Sequence, residues 1–231
     1  MTTDNKSFID GSWYEQQYST PGERYHEMYT GEIPQWAKDA NAFHVQQVLA
    51  WLTGFAVDSV LEVGCGVGNY QTAWKNALVR GDVCGVDVSE SAARIARSRG
   101  HSVDVGRAGA LEGCPLWDDH PGFDLVFTAA VMEHIDVSVT NAALIEFAVF
   151  APLQAHYIPL EKGDDPSHIH VQPVEAWVAE FKKALPSHRV YVVDNALDRT
   201  QPLYILAEVS EKNSVFVLDH GALRGAVRRF Q

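Results

Sequence analysis

The chain has 231 residues, 46% of them hydrophobic and 21% charged, with a formal net charge of −12. That length suits one large domain with a filled core. Basic residues are scattered apart from Arg224, Arg228 and Arg229, so no stripe is offered to phosphates and nucleic acid is not an expected partner. No apolar run reaches the ~18 residues of a membrane span. The polar start, MTTDNKSFIDG, lacks the apolar core of a secretion signal. Three cysteines, Cys65, Cys84 and Cys114, form no CxxC pair, which points to a reduced, cytoplasmic protein.

Residues 1–30 carry Trp13, Tyr14, Tyr18, Tyr25 and Tyr29 among polar residues and read as an irregular lid or as short helices. Residues 36–52 place Trp36, Ala40, Phe43, Val48, Leu49 and Leu52 near helical spacing, which predicts an amphipathic helix. From Asp58 the pattern changes. The apolar run 59–64 stops at a glycine, as a buried parallel strand does. Residues 69–79 read as a helix and 82–88 as a second strand. Residues 89–100 open on a capping Ser and close on a Gly, which predicts a helix. Strands follow at 101–105, 123–130 and 154–160, with a helix over 141–151. Residues 173–185 begin with Pro at a helix start and present Trp177, Phe181 and Leu185 on one face. Residues 189–196 and 203–210 alternate across the turn-like LDRTQP and read as a closing hairpin. Strands alternating with helices imply an open α/β sheet, with ligands at the carboxyl ends of the strands.

A glycine-rich turn, LEVGCGVGNY, follows the first strand and opens a helix. Glycines at 64, 66 and 68 let a ligand approach the backbone, and the helix offers free N–H groups. The dinucleotide fingerprint wants a glycine at 69, which is Asn69 here. The second strand ends in Asp87, where a carboxylate can accept both hydroxyls of a ribose.

These residues resemble the class I S-adenosylmethionine-dependent methyltransferases of the small-molecule and sugar type. The matching blocks are Glu62-Val63-Gly64-Cys65-Gly66-Val67-Gly68, Val86-Asp87-Val88-Ser89, Phe123-Asp124-Leu125-Val126 and Glu133-His134-Ile135. They keep the family's order across residues 58–136, and the hairpin extends the likeness to about 210. The resemblance implies a Rossmann-like, doubly wound sheet of about seven strands, mostly parallel, with a C-terminal antiparallel hairpin and helices on both faces. It implies a lid or cap over 1–35, the methyltransferase domain over 36–212 and an extension over 213–231. That extension reads as a dimer contact or a packed extra helix, so a homodimer stays open.

The resemblance also implies S-adenosyl-L-methionine as cofactor. Gly64, Cys65 and Gly66, with Gly68 closing the loop, would lie under its methionine part. Glu62 would steady the loop or reach the amino group, Asp87 would hold the ribose hydroxyls and Val88 would pack on the adenine. Thr128 and Ala129 would offer backbone carbonyls. Many relatives have Gly-Asp-Ala after the third strand, where this chain has Gly106-Arg107-Ala108. Arg107 cannot accept a hydrogen bond from adenine, which leaves stacking, the backbone of Arg107 and Ala108, or another residue.

For the chemistry, a hydroxyl acceptor loses a proton, and histidine suits the base that takes it. Glu133-His134 is one candidate and doubles as a helix-starting pair. The other is GDDPSHIH, residues 163–170, in a loop after the fifth strand, with His168 toward the acceptor and His170 behind it. His156, within the fifth strand, can also point at the pocket. Tyr14 and Tyr25 are the lid candidates. The expected function is methyl transfer to a hydroxyl or amine of a small-molecule or sugar-like acceptor. One alternative is a metal-assisted 2′-O-methyltransferase acting on an RNA 3′ end. Such enzymes carry Glu-x-x-Glu-His and a distant His around a divalent ion. Glu133, His134 and His168 could supply that set here, although the first Glu falls at Ala130. A non-catalytic cofactor-binding protein is the other alternative.

Overall fold

Eight strands form one sheet in the computed structural model, which describes residues 6–78, 81–116, 120, 122–160, 163–193, 203–209 and 227–229. The strands are β1 (Ser59–Val63), β2 (Asp82–Asp87), β3 (Ser102–Val105), β4 (Leu125–Ala129), β5 (Leu153–Ile158), β6 (His188–Val193), β7 (Leu203–Val209) and β8 (Val227–Arg229). Their order across the sheet is β3-β2-β1-β4-β5-β7-β6-β8. β1 to β5 pair in parallel, while β7 lies antiparallel to β5 and to β6. The strand order reverses between β1 and β4, and the winding opens a crevice at their carboxyl ends.

The sequence pattern explains the central strands. They are buried on both faces, so they read as continuous apolar runs rather than alternating ones. Val60, Leu125 and Phe127 pack with Val48, Trp51 and Trp74 on one side of the sheet. Leu61, Val63 and Val126 pack with Leu144, Phe147, Trp177 and Phe181 in the other layer. The helices of the first layer are α4 (Gln35–Trp51) and α5 (Asn69–Ala77). Those of the second are α7 (Val137–Phe150) and α8 (Val174–Ala184), with α6 (Glu90–Ser98) beside β3. Trp177 and Phe181 are fully buried; at roughly 2–3 kcal/mol per large apolar side chain, they anchor α8.

Helix ends follow local chemistry. The Ser89 hydroxyl accepts from Ala92 N at 3.1 Å, and Gly100 takes the left-handed conformation after α6. α7 starts at Val137 rather than at 141. The run Val137-Ser138-Val139-Thr140, three of whose residues are β-branched, is a poor helix former, but Asp136 caps it by accepting from Ser138 N at 2.9 Å, and Thr140 is buried.

The N-terminal aromatic stretch forms three short helices, α1 (Lys6–Ile9), α2 (Ser12–Ser19) and α3 (Arg24–Tyr29). Their rings pack on one another, Trp13 against Tyr25 at 5.5 Å and Tyr18 against Tyr25 at 5.5 Å. Polar ties hold the segment to the sheet domain. Glu15 accepts from the Ser89 hydroxyl at 2.7 Å, from Ser91 N at 3.0 Å and from the Ser91 hydroxyl, at the start of α6. Arg99 donates to the carbonyls of Tyr29 and Gly31, each at 2.9 Å. Gly11, at φ 81°, lies so close to Val88 that a Cβ there would overlap its side chain.

Among the described residues, residues 227–229 add an eighth strand, β8, along β6 to the seven expected. The expected LDRTQP turn (197–202) and most of the extension over 213–231 lie outside the described residues. Among the described residues, no helix is long and apolar enough to cross a membrane.

Candidate active site

The glycine loop joins β1 to α5 at the crevice. Gly64, Gly66 and Gly68 all take positive φ, at 72°, 52° and 83°. Only glycine adopts these angles at little cost, and a Cβ at Gly64 would run into Val131. Gly64 N and Cys65 N both donate to the Val86 carbonyl, at 2.7 and 3.1 Å, which pins the loop to the end of β2. Asp87 adds a second tie. One carboxylate oxygen accepts from Gly66 N at 2.7 Å and the other from Ser89 N at 2.9 Å. Burial pushes its pKa up to about 6 against these hydrogen bonds. Each carboxylate oxygen keeps acceptor capacity beyond its backbone donor.

A cavity of about 640 Å³ runs from this loop along the carboxyl ends of β1, β2 and β4. Of the residues expected to meet the cofactor, Glu62, Gly64, Cys65, Gly66, Asp87, Val88, Arg107, Ala108 and Ala129 line it. Gly68 does not; it precedes α5 and packs against His101. Thr128 is fully buried and turns its hydroxyl to His156, so only its backbone neighbour Ala129 reaches the cavity. Glu62 is 2% exposed, with one carboxylate oxygen unpartnered, and burial raises its pKa well above the ordinary value. The loop bearing Arg107 is held from behind by Glu146, which accepts from Gly109 N at 2.8 Å and from Leu111 N at 2.5 Å.

Past β4 the chain turns sharply at Ala130, a non-glycine residue at φ 52° whose N–H donates to the Tyr157 carbonyl at 2.9 Å. Such a conformation costs on the order of 1 kcal/mol. The turn leads into a single 3-10 turn, Met132–His134. His134 and His168, from the two candidate stretches, meet there with ring centroids 4.8 Å apart, and both line the cavity. Glu133 lies behind them, fully buried, with Oε1 3.6 Å from His134 Nε2 and 3.9 Å from His168 Nε2. Neither carboxylate oxygen of Glu133 has a hydrogen-bond partner. Burial raises the Glu133 pKa to about 8 and, helped by His168, lowers that of His134 to about 4, so at pH 7 the two are a neutral pair.

His134 Nδ1 lies 3.1 Å from the Ser167 carbonyl and 3.0 Å from the Ser167 hydroxyl. Tyr14 and Tyr25 both border the cavity, and the Tyr14 ring stands edge-on to His134 at 5.8 Å. Tyr25 donates to Asp165 at 2.9 Å.

Two expected histidines belong elsewhere. His156 is 0% exposed and does not line the cavity. Its Nδ1 meets the Thr128 hydroxyl at 2.9 Å and its Nε2 the Gln154 carbonyl oxygen at 3.0 Å, between Phe147 and Phe181. Side chains alternate along a strand, and position 156 turns into the layer of α7 and α8. His170 packs at a tilt on Trp177 at 4.5 Å, meets the Thr140 hydroxyl and the Ile135 carbonyl, each at 3.1 Å, and lies 3.5 Å from Glu180, so it ties the loop to α7 and α8. Cavity residues that the motifs did not flag include Tyr18, Arg24, Trp36, Tyr70 and Asp136. Tyr70 directly follows the glycine loop and Tyr18 stood in the aromatic stretch; Trp36 was read only as part of an amphipathic helix, and Arg24 had no pattern to single it out.

These residues fit the cofactor that the sequence resemblance implies. The glycine loop presents bare backbone to the cavity at Gly64 and Gly66, Asp87 beside it has acceptor capacity to spare, and the cavity lies in the size range of small-molecule sites. Comparison with known proteins agrees. Residues 61–149 match the family model of a methyltransferase domain. No curated protein is significantly similar in sequence. Magnesium protoporphyrin IX methyltransferase from Synechocystis PCC 6803, solved with bound SAH, aligns at TM-score 0.60 and 19% identity over 87% of this chain and 100% of that one. The sugar N-methyltransferase KedS8 from Streptoalloteichus aligns at TM-score 0.63 and 14% identity over 83% and 95%. The methyltransferase domain of bacterial CtHen1-C aligns at TM-score 0.60 and 16% identity over 74% and 99%. The family model places a methyltransferase domain over residues 61–149, and the cofactor motifs and the fold are similar to those of class I S-adenosylmethionine-dependent methyltransferases.

Proposed function

We propose that this enzyme methylates a hydroxyl or amine of a small-molecule or sugar-like acceptor, with His168 and His134 taking up the proton released. One observation carries the reading. A single cavity joins the glycine loop and Asp87 at one end to the two facing imidazoles at the other. S-adenosylmethionine, when bound, supplies an electrophilic methyl carbon. The chain's own residues do the rest. The glycine loop and Asp87 hold the cofactor at one end. The N-terminal helices, with Tyr14, Tyr18 and Tyr25 on the cavity wall, exclude water from it. The imidazoles orient the acceptor and accept its proton at Nε2. The likeness in fold to a sugar N-methyltransferase and to a porphyrin methyltransferase supports a small acceptor.

Calorimetry with S-adenosylhomocysteine tests the cofactor half. Binding is expected, and Asp87→Ala should weaken it roughly a hundredfold, through lost charge-assisted hydrogen bonds. No binding by the unaltered protein would sink the reading. A panel of amino and neutral sugars, read by methyl-tritium incorporation, tests the acceptor half.

A second reading rests on the Glu133 carboxylate. A fully buried carboxyl without a hydrogen-bond partner, close to two imidazole nitrogens, suits a divalent ion. Glu133, His134 and His168 would hold it, their ligand atoms within 4.8 Å of one another. Such an ion would act as a Lewis acid on an acceptor hydroxyl. Ala130 stands where a further carboxylate would complete the RNA-end pattern. Elemental analysis of purified protein, and turnover unaffected by chelators, would separate this reading from the first.

A further inference from the structure

His134 is held in place by a chain of side chains that begins in the N-terminal helices. Tyr25, on α3, donates its hydroxyl to Asp165 Oδ2 at 2.9 Å. Arg24 lies 3.8 Å from the same oxygen. The other oxygen, Oδ1, accepts from the Ser167 hydroxyl at 2.6 Å and from Ser167 N at 2.9 Å. The Ser167 hydroxyl and carbonyl then meet His134 Nδ1 at 3.0 and 3.1 Å. Ser167 is 0% exposed and Asp165 7% exposed, so water does not compete for these bonds.

The directions of these bonds follow from what each atom can do. A carbonyl only accepts, so His134 Nδ1 carries the hydrogen. The Ser167 hydroxyl spends its own hydrogen on the Asp165 carboxylate, so it too can only accept from Nδ1. Both partners therefore demand the same tautomer. His134 Nε2 is left with its lone pair, facing the side where Glu133 and His168 lie. A base needs that lone pair, and so does a metal ligand.

We propose that Asp165 and Ser167 are positioning residues that hold His134 as its Nδ1–H tautomer, and that Tyr25 links this alignment to docking of the N-terminal helices. The inference rests on the reading of His134 as a proton acceptor or ligand, but it concerns the ring's state rather than the acceptor. Asp165 is shared by two partners on opposite sides. With α3 docked, its carboxylate is fixed from the Tyr25 side and the Ser167 loop is set. With α3 displaced, one of those restraints is gone, and His134 is freer to rotate or to change tautomer. Closure over the cavity and presentation of the Nε2 lone pair are then one event.

The test is long-range 1H–15N NMR at pH 8 on the full chain with labelled histidine, His134 being assigned through His134→Gln. The unaltered protein should show a protonated Nδ1 and a bare Nε2 at His134. Ser167→Ala removes one of two acceptors and should shift the tautomer ratio roughly fivefold. Asp165→Ala, which also frees the carbonyl, should shift it further. Tyr25→Phe should produce the smallest shift, and Ser167→Thr should restore the original signal. An Nε2–H form in the unaltered protein, or an unchanged His134 in Asp165→Ala, would overturn the proposal. An unchanged spectrum in Tyr25→Phe would overturn the link to the N-terminal helices. Ser167→Ala and Tyr25→Phe keep the question open to test even where Asp165→Ala does not fold. Calorimetry with S-adenosylhomocysteine on each variant separates the two levels. Affinity lost in the unaltered protein sinks the proposed function and leaves the tautomer reading intact.

Discussion

Two clusters of buried polar side chains in this chain have opposite hydrogen-bond balances. Around His156 every bond is made. Thr128, His156, Gln154 and the Leu144 carbonyl form a continuous chain at 2.9, 3.0 and 3.2 Å. Gln154 accepts at Oε1, so His156 is protonated at Nε2. Around Glu133 the bonds are missing. Its carboxylate is as buried as His156, yet both oxygens lack partners, and His134 is the opposite tautomer. A satisfied buried network adds rigidity, whereas an unsatisfied one costs stability unless something else fills the need. The first cluster reads as structure and the second as a site kept open for chemistry.

Substitutions sharpen that contrast. The largest expected effect is on turnover. His134→Ala with His168→Ala should lower the rate by about 10²–10⁴-fold, as loss of a general base does. S-adenosylhomocysteine affinity, measured by calorimetry, should hold, since neither residue belongs to the glycine loop or Asp87. The next largest is His156→Ala. It leaves Thr128 and Gln154 unpaired and opens a void, so urea unfolding should report a loss of about 2–4 kcal/mol, with cofactor binding kept. The contrast breaks if these two outcomes exchange places.

The acid limb of stability comes third. Burial pushes the His156 pKa down to about 3 from the ordinary 6.5. The unfolded chain takes up this proton as pH drops below 6.5, while the folded chain resists it until about 3. Stability from this group is therefore complete above 6.5 and is lost on acidification, by about 1.4 kcal/mol per pH unit at most. His156→Gln should remove that share of the slope in urea titrations between pH 4 and 6. Smallest is Glu133→Gln. A neutral amide replaces a carboxyl that makes no hydrogen bond, so unfolding free energy should change by no more than about 1 kcal/mol. Turnover or bound metal should suffer far more. A large loss of stability there would make Glu133 structural and end the contrast.

Much of the fold was legible in the chain because local chemistry dictated it. An apolar run that stops at glycine marked β1, the stretch 123–130 marked β4, a Ser and a Gly bounded α6, and Pro173 opened α8. The early start of α7 was hidden, since the Asp136 cap and the burial of Thr140 overrode a β-branched run that reads poorly as helix. The glycine-loop end of the cavity was legible for a similar reason. Gly64, Gly66 and Asp87 act through backbone angles and through the end of one strand, and both are written at short range.

The other end was not, because it is made by side chains far apart in sequence. GDDPSHIH offered His168 ahead of His170, but residue types alone did not place either ring. One faces the cavity beside His134, and the other packs on Trp177 in the core. Strand pleat alone sent His156 inward, although a reading of residue types left it a candidate. The sequence by itself determined the central strands, the glycine loop and the carboxylate opposite it, since these depend on neighbours within a few residues. Only the tertiary structure decided which histidines meet, that Glu133 lies unpartnered behind them, and that Tyr25 reaches His134 through Asp165 and Ser167. Those relations span up to 140 residues of chain and exist only once the N-terminal helices and the β5–α8 loop are packed over the same crevice.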